Sequence, residues 1–308
     1  MTGPSMYDAI VVGGGPAGMS AALWLARYRK RVLMVESDEH RNRWVEQTHG
    51  YLGWDPVSPA DLITRARDQL LSYDEATVRA GRVEVVRRDE DGTFMVHVGE
   101  ERLPSRRLVL ATGVEDRFPE VGRFFEHYGA SVFHCPTCDG YEARDRSVVV
   151  FGWSQQVTGF ALTLLGWAAD VTVVTDGRRF EGDAGHRANL EANGVVVLEE
   201  DAVELLGERG GLEGVRFASG RSVGCELAFF SIAHVPRTDL AEQLGCALTE
   251  EGCVDVDHEG VTSVEGVFAA GDLTPGLQLV QVAAAKGTAA GVACAQSLPS
   301  DGVVTAGG

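Results

Sequence analysis

Ala9-Ile10-Val11-Val12-Gly13-Gly14-Gly15-Pro16-Ala17-Gly18 decides how this chain folds. Four apolar residues read as a short buried strand. The glycines after them open an apolar-periodic helix, expected over Met19–Tyr28. A second strand, Arg31–Val35, ends at Glu36. In this strand–turn–helix–strand setting, Gly13-x-Gly15-x-x-Gly18 is a dinucleotide fingerprint. The first glycine permits the tight turn, the second lets the backbone approach a pyrophosphate, and the third lets helix and strand pack closely. The helix start, with Pro16 and Ala17, offers unpaired N–H groups and a partial positive charge to phosphates. Glu36 is placed to accept hydrogen bonds from ribose hydroxyls.

Moving outward, Ser37–Pro59 is irregular, and a helix is expected over Pro59–Leu71 with Ser58 as its N-cap. Strands are expected at Val83–Arg87, Thr93–Val98 and Arg107–Ala111, the last running into Ala111-Thr112-Gly113. A second strand–turn–helix–strand unit follows. Its strands are Ser147–Phe151 and Asp170–Val174, with a helix from about Gln155 to Trp167. Residues 9–36 and 147–175 therefore read as an internal duplication. A weaker strand at Val195–Glu199 and a hairpin-like stretch at Val203–Ser222 come next. The last segment holds a strand at Gly266–Ala270, then Gly271-Asp272, then a small-residue helix from about Gln278 to Gln296. The tail, Ser297–Gly308, reads as disordered.

The chain has 308 residues, 44% hydrophobic and 23% charged, which suits two domains with separate cores. A net charge of −18 disfavours nucleic acid and anionic membrane surfaces as partners. No apolar run of spanning length occurs, and Met1–Asp8 lacks the regions of a secretory signal. Six cysteines, only two of them closely paired, is cytoplasmic usage, where a CxxC is expected to be catalytic.

That pair is Cys135-Pro136-Thr137-Cys138-Asp139-Gly140. The spacing lets one helical turn bring both sulfurs together, and a thiolate at a helix start is stabilised by the free N–H groups there. Asp139 is placed to move a proton to or from one sulfur. A zinc site would need a second Cys/His pair. Cys225, Cys246, Cys253 and Cys294 are scattered, so no metal is expected. His134, directly before the pair, either lowers the Cys135 pKa or is a solvated neighbour.

GGGPAG, LVLATG, CPTCDG and GVFAAGD, in this order and covering nearly the whole chain, resemble the low-molecular-weight thioredoxin reductases and their relatives. The resemblance implies an α/β fold of two Rossmann-like three-layer dinucleotide-binding domains. An FAD domain, residues 1–116 and 244–308, is split by an inserted NAD(P)H-like domain, residues 117–243, that carries the CxxC. It implies FAD in the first unit. Asp272 of Gly271-Asp272 would hold the ribityl chain, and Gln281 and Val282 would lie at the pyrimidine edge of the flavin. Val83, Ala111, Thr112 and Gly113 join the cofactor-binding set, and a homodimer is implied. His49 falls where relatives contact the flavin ring, as a base near the dithiol or a plain loop histidine. Tyr51, Trp54 and Trp44 either line a substrate pocket or only pack.

The second unit departs from the family pattern. Its turn reads Phe151-Gly152-Trp153-Ser154-Gln155-Gln156-Val157, with Ser154 and Val157 where glycines should stand. A Cβ at the close-approach position and a β-branched residue at the packing position both push a nucleotide away. Relatives place a basic cluster after the next strand to hold a 2′-phosphate, whereas this chain has Thr175-Asp176-Gly177-Arg178-Arg179. Asp176 would repel that phosphate, so NADPH is disfavoured, while weak NADH use through Asp176 stays open. Losing two or three charge-assisted contacts, each worth about 1.5–3 kcal/mol, weakens binding by several powers of ten. The family's Arg-Gln at the start of the final helix is Val280-Gln281 here.

Three functions follow from this pattern. In the first, the Cys135–Cys138 disulfide oxidises a dithiol and the flavin passes the electrons to O2, as in the NADPH-independent dithiol oxidases that these departures resemble. Those oxidases often carry His where this chain has Asp139. In the second, a reductase is fed by NADH, ferredoxin or another donor. In the third, the protein is a non-catalytic flavin redox sensor. The thiol partner is a small dithiol or disulfide, or a thioredoxin-like protein.

Overall fold

The computed structural model describes residues 6–299. The chain forms two units, residues 6–43, 51–115 and 235–299, and residues 44–50 and 116–234. The sequence boundaries put residues 44–50 and 116 with the first unit and 235–243 with the second; in the structure each belongs to the other unit.

In the first unit, β1 (Tyr7–Val12) leads into α1 (Pro16–Arg27), β2 (Val32–Glu36), α2 (Pro59–Leu71), β3 (Ala76–Ala80), β4 (Val83–Arg88), β5 (Phe94–Val98) and β6 (Glu101–Leu110). Ser58 Oγ accepts from the Asp61 N–H at 3.0 Å, which is the N-cap the sequence indicates. The strands are ordered β3-β2-β1-β6-β5-β4. β1, β2 and β3 run parallel, and the upper half of β6 joins them, with Val12 opposite Leu110. Residues 76–111 read as alternating strands, but β3 is not separately delimited by the sequence because Ala-Thr-Val-Arg-Ala lacks a clear apolar run. Side chains alternate between two cores. Ala9 and Val11 face α1, while Ile10 and Val12 face the layer that holds Val86, Phe94 and Val96.

The chain leaves through β7 (Val114–Arg117) into the second unit. There follow α3 (Phe124–His127), β8 (Val132–Phe133), α4 (Pro136–Asp139), β9 (Ser147–Phe151), α5 (Gln156–Leu164), β10 (Asp170–Val174), α6 (Ala184–Ala192), β11 (Val196–Leu198), β12 (Ala202–Glu208), β13 (Gly211–Phe217), β14 (Ser222–Gly224) and β15 (Leu227–Phe230). A parallel sheet, β11-β10-β9-β15-β8, carries α5 and α6 on one face. The antiparallel sheet β12-β13-β14 lies on the other. The hairpin expected at 203–222 is thus the main part of a three-stranded layer.

The chain returns through β16 (Ala233–Pro236), α7 (Asp239–Gln243), β17 (Val267–Ala269) and α8 (Val280–Gln296). β17 adds to β6, with Ala269 opposite Leu110. α8 lies against α1 because Gly287 and Gly291 face that helix. A Cβ on Gly287 would stand 2.0 Å from the Ala17 carbonyl oxygen, and one on Gly291 would stand 2.6 Å from that of Ala21. Ser297–Pro299 are placed, contrary to the expectation of a disordered tail. Leu298 is buried, and Lys30 Nζ donates to Pro299 O at 2.6 Å. Residues 300–308 of that tail lie outside the described residues.

Candidate active site

In the first unit three motifs leave adjacent strands at one edge. The turn 13–18 follows β1, Ala111-Thr112-Gly113 follows β6, and Gly271-Asp272 follows β17. This is the carboxyl edge of a parallel sheet, where α/β folds take ligands. Gly13 has φ +115°, and a Cβ there would meet the Ala111 carbonyl oxygen at 2.2 Å. A Cβ on Gly18 would lie 1.8 Å from Gly13 O. At Gly15 no atom stands within 4 Å of the Cβ position. Two glycines thus lock the turn, and the third leaves an open approach over the N-terminus of α1. The first bond into that helix runs from Met19 N–H to Gly15 O, so the N–H groups of Ala17 and Gly18 point out of its end.

Glu36 ends β2 at 6% exposure and pairs with the Arg67 guanidinium. Burial raises its pKa, and Arg67 opposes that rise. Thr112 Oγ1 donates to Arg237 O at 2.8 Å, fixing the loop after β6. Arg41 Nη1 lies 3.1 Å from Asp272 Oδ2 and donates to Gln278 Oε1 at 2.7 Å. So an arginine outside the final helix stands at the Gly271-Asp272 loop. Lys286 Nζ donates to Pro275 O at 2.8 Å and also reaches Gly271 O and Thr274 O, tying this loop to α8. The sequence gives no spacing signal for Arg41 or Lys286, because both act across the fold. Gln281 and Val282 lie half-buried in the first turn of α8. The Val83 side chain packs into the core opposite Val98, which leaves its main chain for any ligand contact. The Trp54 ring carries the Arg65 guanidinium at 4.2 Å, and Trp44, in the second unit, packs on Phe125 and Tyr128.

In the second unit Cys135 and Cys138 are joined as a disulfide, Cα atoms 5.2 Å apart. Cys135 caps α4, and its Sγ accepts from the Cys138 N–H at 3.1 Å. That donor would favour a thiolate on Cys135 once the bond opens. Asp139 is 6% exposed, and burial pushes its pKa up to about 7, with the Glu142 charge adding to the rise. His49 Nε2 lies 3.4 Å from Glu142 Oε1. His134 Nδ1 lies 3.1 Å from the Tyr128 hydroxyl.

The second nucleotide turn is built differently. Gly152 N–H donates to Val174 O at 3.1 Å, as Gly13 N–H donates to Val35 O at 2.8 Å. These equivalent bonds make Thr175, not Asp176, the counterpart of Glu36. Thr175 is fully buried, and its hydroxyl donates to Arg178 O at 2.5 Å. Asp176 Oδ1 accepts from the Ala202 N–H at 3.2 Å. The Val157 and Thr158 N–H groups, in the first turn of α5, donate to Ser154 O and Gln155 O. Ser154 Oγ is buried without a hydrogen-bond partner. Arg178 Cζ sits 3.7 Å from the centre of the Trp153 ring.

A model of the pyridine nucleotide-disulphide oxidoreductases matches residues 7–287. The chain belongs to that family. It is 31% identical to a thioredoxin reductase, tcpT, of Claviceps purpurea, over 98% of this chain and 97% of the relative. It is 30% identical to the thioredoxin reductase sirT of Leptosphaeria maculans, over 94% of each. The crystal structure of HlmI superposes with a TM-score of 0.90 at 34% identity, covering 96% of this chain and 93% of that one. The protein is therefore a thioredoxin reductase-like flavin oxidoreductase, and FAD is the cofactor that the family implies. The first unit fits it: the open approach at Gly15 and the outward N–H groups of α1 suit a pyrophosphate, and Glu36 ends the neighbouring strand. Among the described residues no helix is long and apolar enough to cross a membrane.

Proposed function

We propose that this chain is an FAD-dependent dithiol oxidase that works without NADPH and passes electrons to O2. Bound flavin would accept two electrons from the enzyme dithiol and deliver them to oxygen. Gly13, Gly15, Pro16, Ala17 and Gly18 would hold the pyrophosphate, and Glu36 the ribose. The loops at Val83, at 111–113 and at 271–272, with Gln281 and Val282, would seat the remainder. A substrate thiolate attacks Cys135, forming a mixed disulfide and freeing the Cys138 thiolate. The second substrate thiol then releases the product disulfide and leaves Cys135 reduced. Cys138, the sulfur nearer the flavin by family analogy, hands on the electrons, and Asp139 manages the proton. His49 takes part through Glu142.

One observation carries the nicotinamide-free reading. The second turn has Trp153 and Arg178 stacked on each other, and its ribose position is a buried threonine. Asp176, the residue that kept NADH open in the sequence, already accepts a backbone hydrogen bond. A small dithiol or a thioredoxin-like protein is the substrate class proposed, acted on by a cytoplasmic homodimer. A disulfide reductase fed by another donor is the second reading, favoured by Asp139 behind Cys138. Anaerobic titration of the flavin with NADPH, NADH and dithiothreitol in turn tests both. The oxidase bleaches with dithiothreitol alone and makes peroxide in air. Rapid stoichiometric bleaching by NADPH overturns it.

A further inference from the structure

Asp139, Glu142 and His49 form a graded series of proton-carrying groups in the second unit. Asp139 is almost fully buried directly behind Cys138. Glu142 follows three residues later, in the turn Tyr141–Ala143. One of its oxygens lies 3.4 Å from His49 Nε2, while the other, Oε2, is buried with no hydrogen-bond partner. The side chains of His49 and Glu142 are 26% and 34% exposed, so this pair reaches water while Asp139 does not. A buried carboxylate oxygen without a donor is costly, and an arriving proton satisfies it.

We propose that Glu142 and His49 carry the proton of Asp139 to and from solvent, with Glu142 acting as a positioning residue for that acid. Among the described residues, Glu142 is the charge that acts on Asp139. α5, which packs on α4, brings no charged side chain. Arg144 is turned to Tyr141 and Asp145, and His134 to Tyr128.

The proposal rests on the Cys135–Cys138 chemistry proposed above, but not on oxygen as the acceptor. Oxidising a dithiol to a disulfide releases two electrons and two protons. Two electrons and one proton go to the cofactor as the Cys135–Cys138 bond re-forms, and one proton stays with the protein at Asp139. That proton must leave before the next turnover. When O2 takes the two electrons, the proton held with them and one from solvent complete hydrogen peroxide.

Anaerobic stopped-flow bleaching of the flavin-loaded protein by dithiothreitol, followed across pH, tests this. In the wild type the rate should inflect near pH 7, where Asp139 titrates. Glu142→Gln removes a negative charge beside that acid, so the inflection should move to lower pH by roughly one unit. His49→Gln should slow bleaching at neutral pH by about tenfold, with recovery on adding imidazole. Glu142→Asp should keep the wild-type inflection. Profiles of Glu142→Gln and His49→Gln that superimpose on the wild type, in protein retaining its flavin and disulfide, overturn the proposal. If Glu142→Gln fails to fold, His49→Gln with imidazole decides alone. If dithiothreitol bleaches the wild type but air yields no peroxide, the oxidase reading fails while this test still reads out. If dithiothreitol does not bleach the flavin at all, both fall.

Discussion

The two nucleotide turns share a strand, a first glycine and the hydrogen bond that closes onto the next strand. They diverge at the two positions that follow. After Gly13, a Cβ on Gly18 would strike the Gly13 carbonyl at 1.8 Å, so the helix can start there only with glycine. After Gly152, Val157 fills the corresponding place, its Cγ2 standing 2.9 Å from where a Gly152 Cβ would project. α5 accordingly begins two residues after Ser154, whereas α1 begins one residue after Gly15. One turn leaves its amides open, and the other bonds them internally. The comparison shows that a duplicated scaffold can rebuild the loop after its first strand while its sheet and its layers persist.

The sharpest way to break this comparison is to exchange the deciding residues. Gly18→Val should yield protein that retains no flavin, read from the visible absorbance after purification, because the turn cannot close around a Cβ. Val157→Gly should leave flavin content unchanged and lower stability by about 1–3 kcal/mol through lost packing in the second core. Flavin retained at wild-type level in Gly18→Val would sink the account of the first turn.

The second unit differs at its turn and holds a buried acid at its disulfide, and Asp139→Asn probes that acid. The folded protein holds the Asp139 proton up to about pH 7, against an ordinary value of 3.8. Between these limits the folded state binds more protons than the unfolded chain, so Asp139 makes stability fall as pH rises through this window. Asp139→Asn removes the decline. Its advantage should grow from pH 4 upward and reach about 2–4 kcal/mol at pH 8, from roughly 1.4 kcal/mol for each pH unit of the window. Chemical denaturation of the oxidised protein at acid and alkaline pH measures it; a constant difference between variant and wild type would refute the buried-acid account.

The smallest effect expected is at Trp153. Trp153→Ala releases Arg178 from its ring, which should lower stability by about 0.5–2 kcal/mol. It should not create NADPH-dependent bleaching, because Thr175, Ser154 and Val157 remain. Nicotinamide-driven bleaching in this single variant would mean that the indole alone was the obstacle.

Much of this was legible in the chain. Gly13-x-Gly15-x-x-Gly18 and the alternating runs around it name their own geometry, and Ser58-Pro59 marks a helix start by local chemistry. The CxxC carries its function in its spacing. What stayed hidden depends on register and on distant partners. Asp176 looks like the counterpart of Glu36 by nearness to the strand end, yet the bond from Gly152 to Val174 puts Thr175 at that position. Glu142 has no motif, only a neighbour from residues 44–50 that the fold supplies. The stacking of Arg178 on Trp153 likewise joins two loops that sequence patterns treat separately.

The glycine seam between α1 and α8 has a consequence for the life of the apoprotein. α8 packs along the length of α1, and the open end of α1 would meet the phosphates of a bound flavin, so ligand and helix docking would stabilise the same element. Emptying the flavin cleft should therefore loosen the chain terminus by linkage. A protease acting on freshly stripped protein would be expected to nick near residue 280 before it attacks the central sheet.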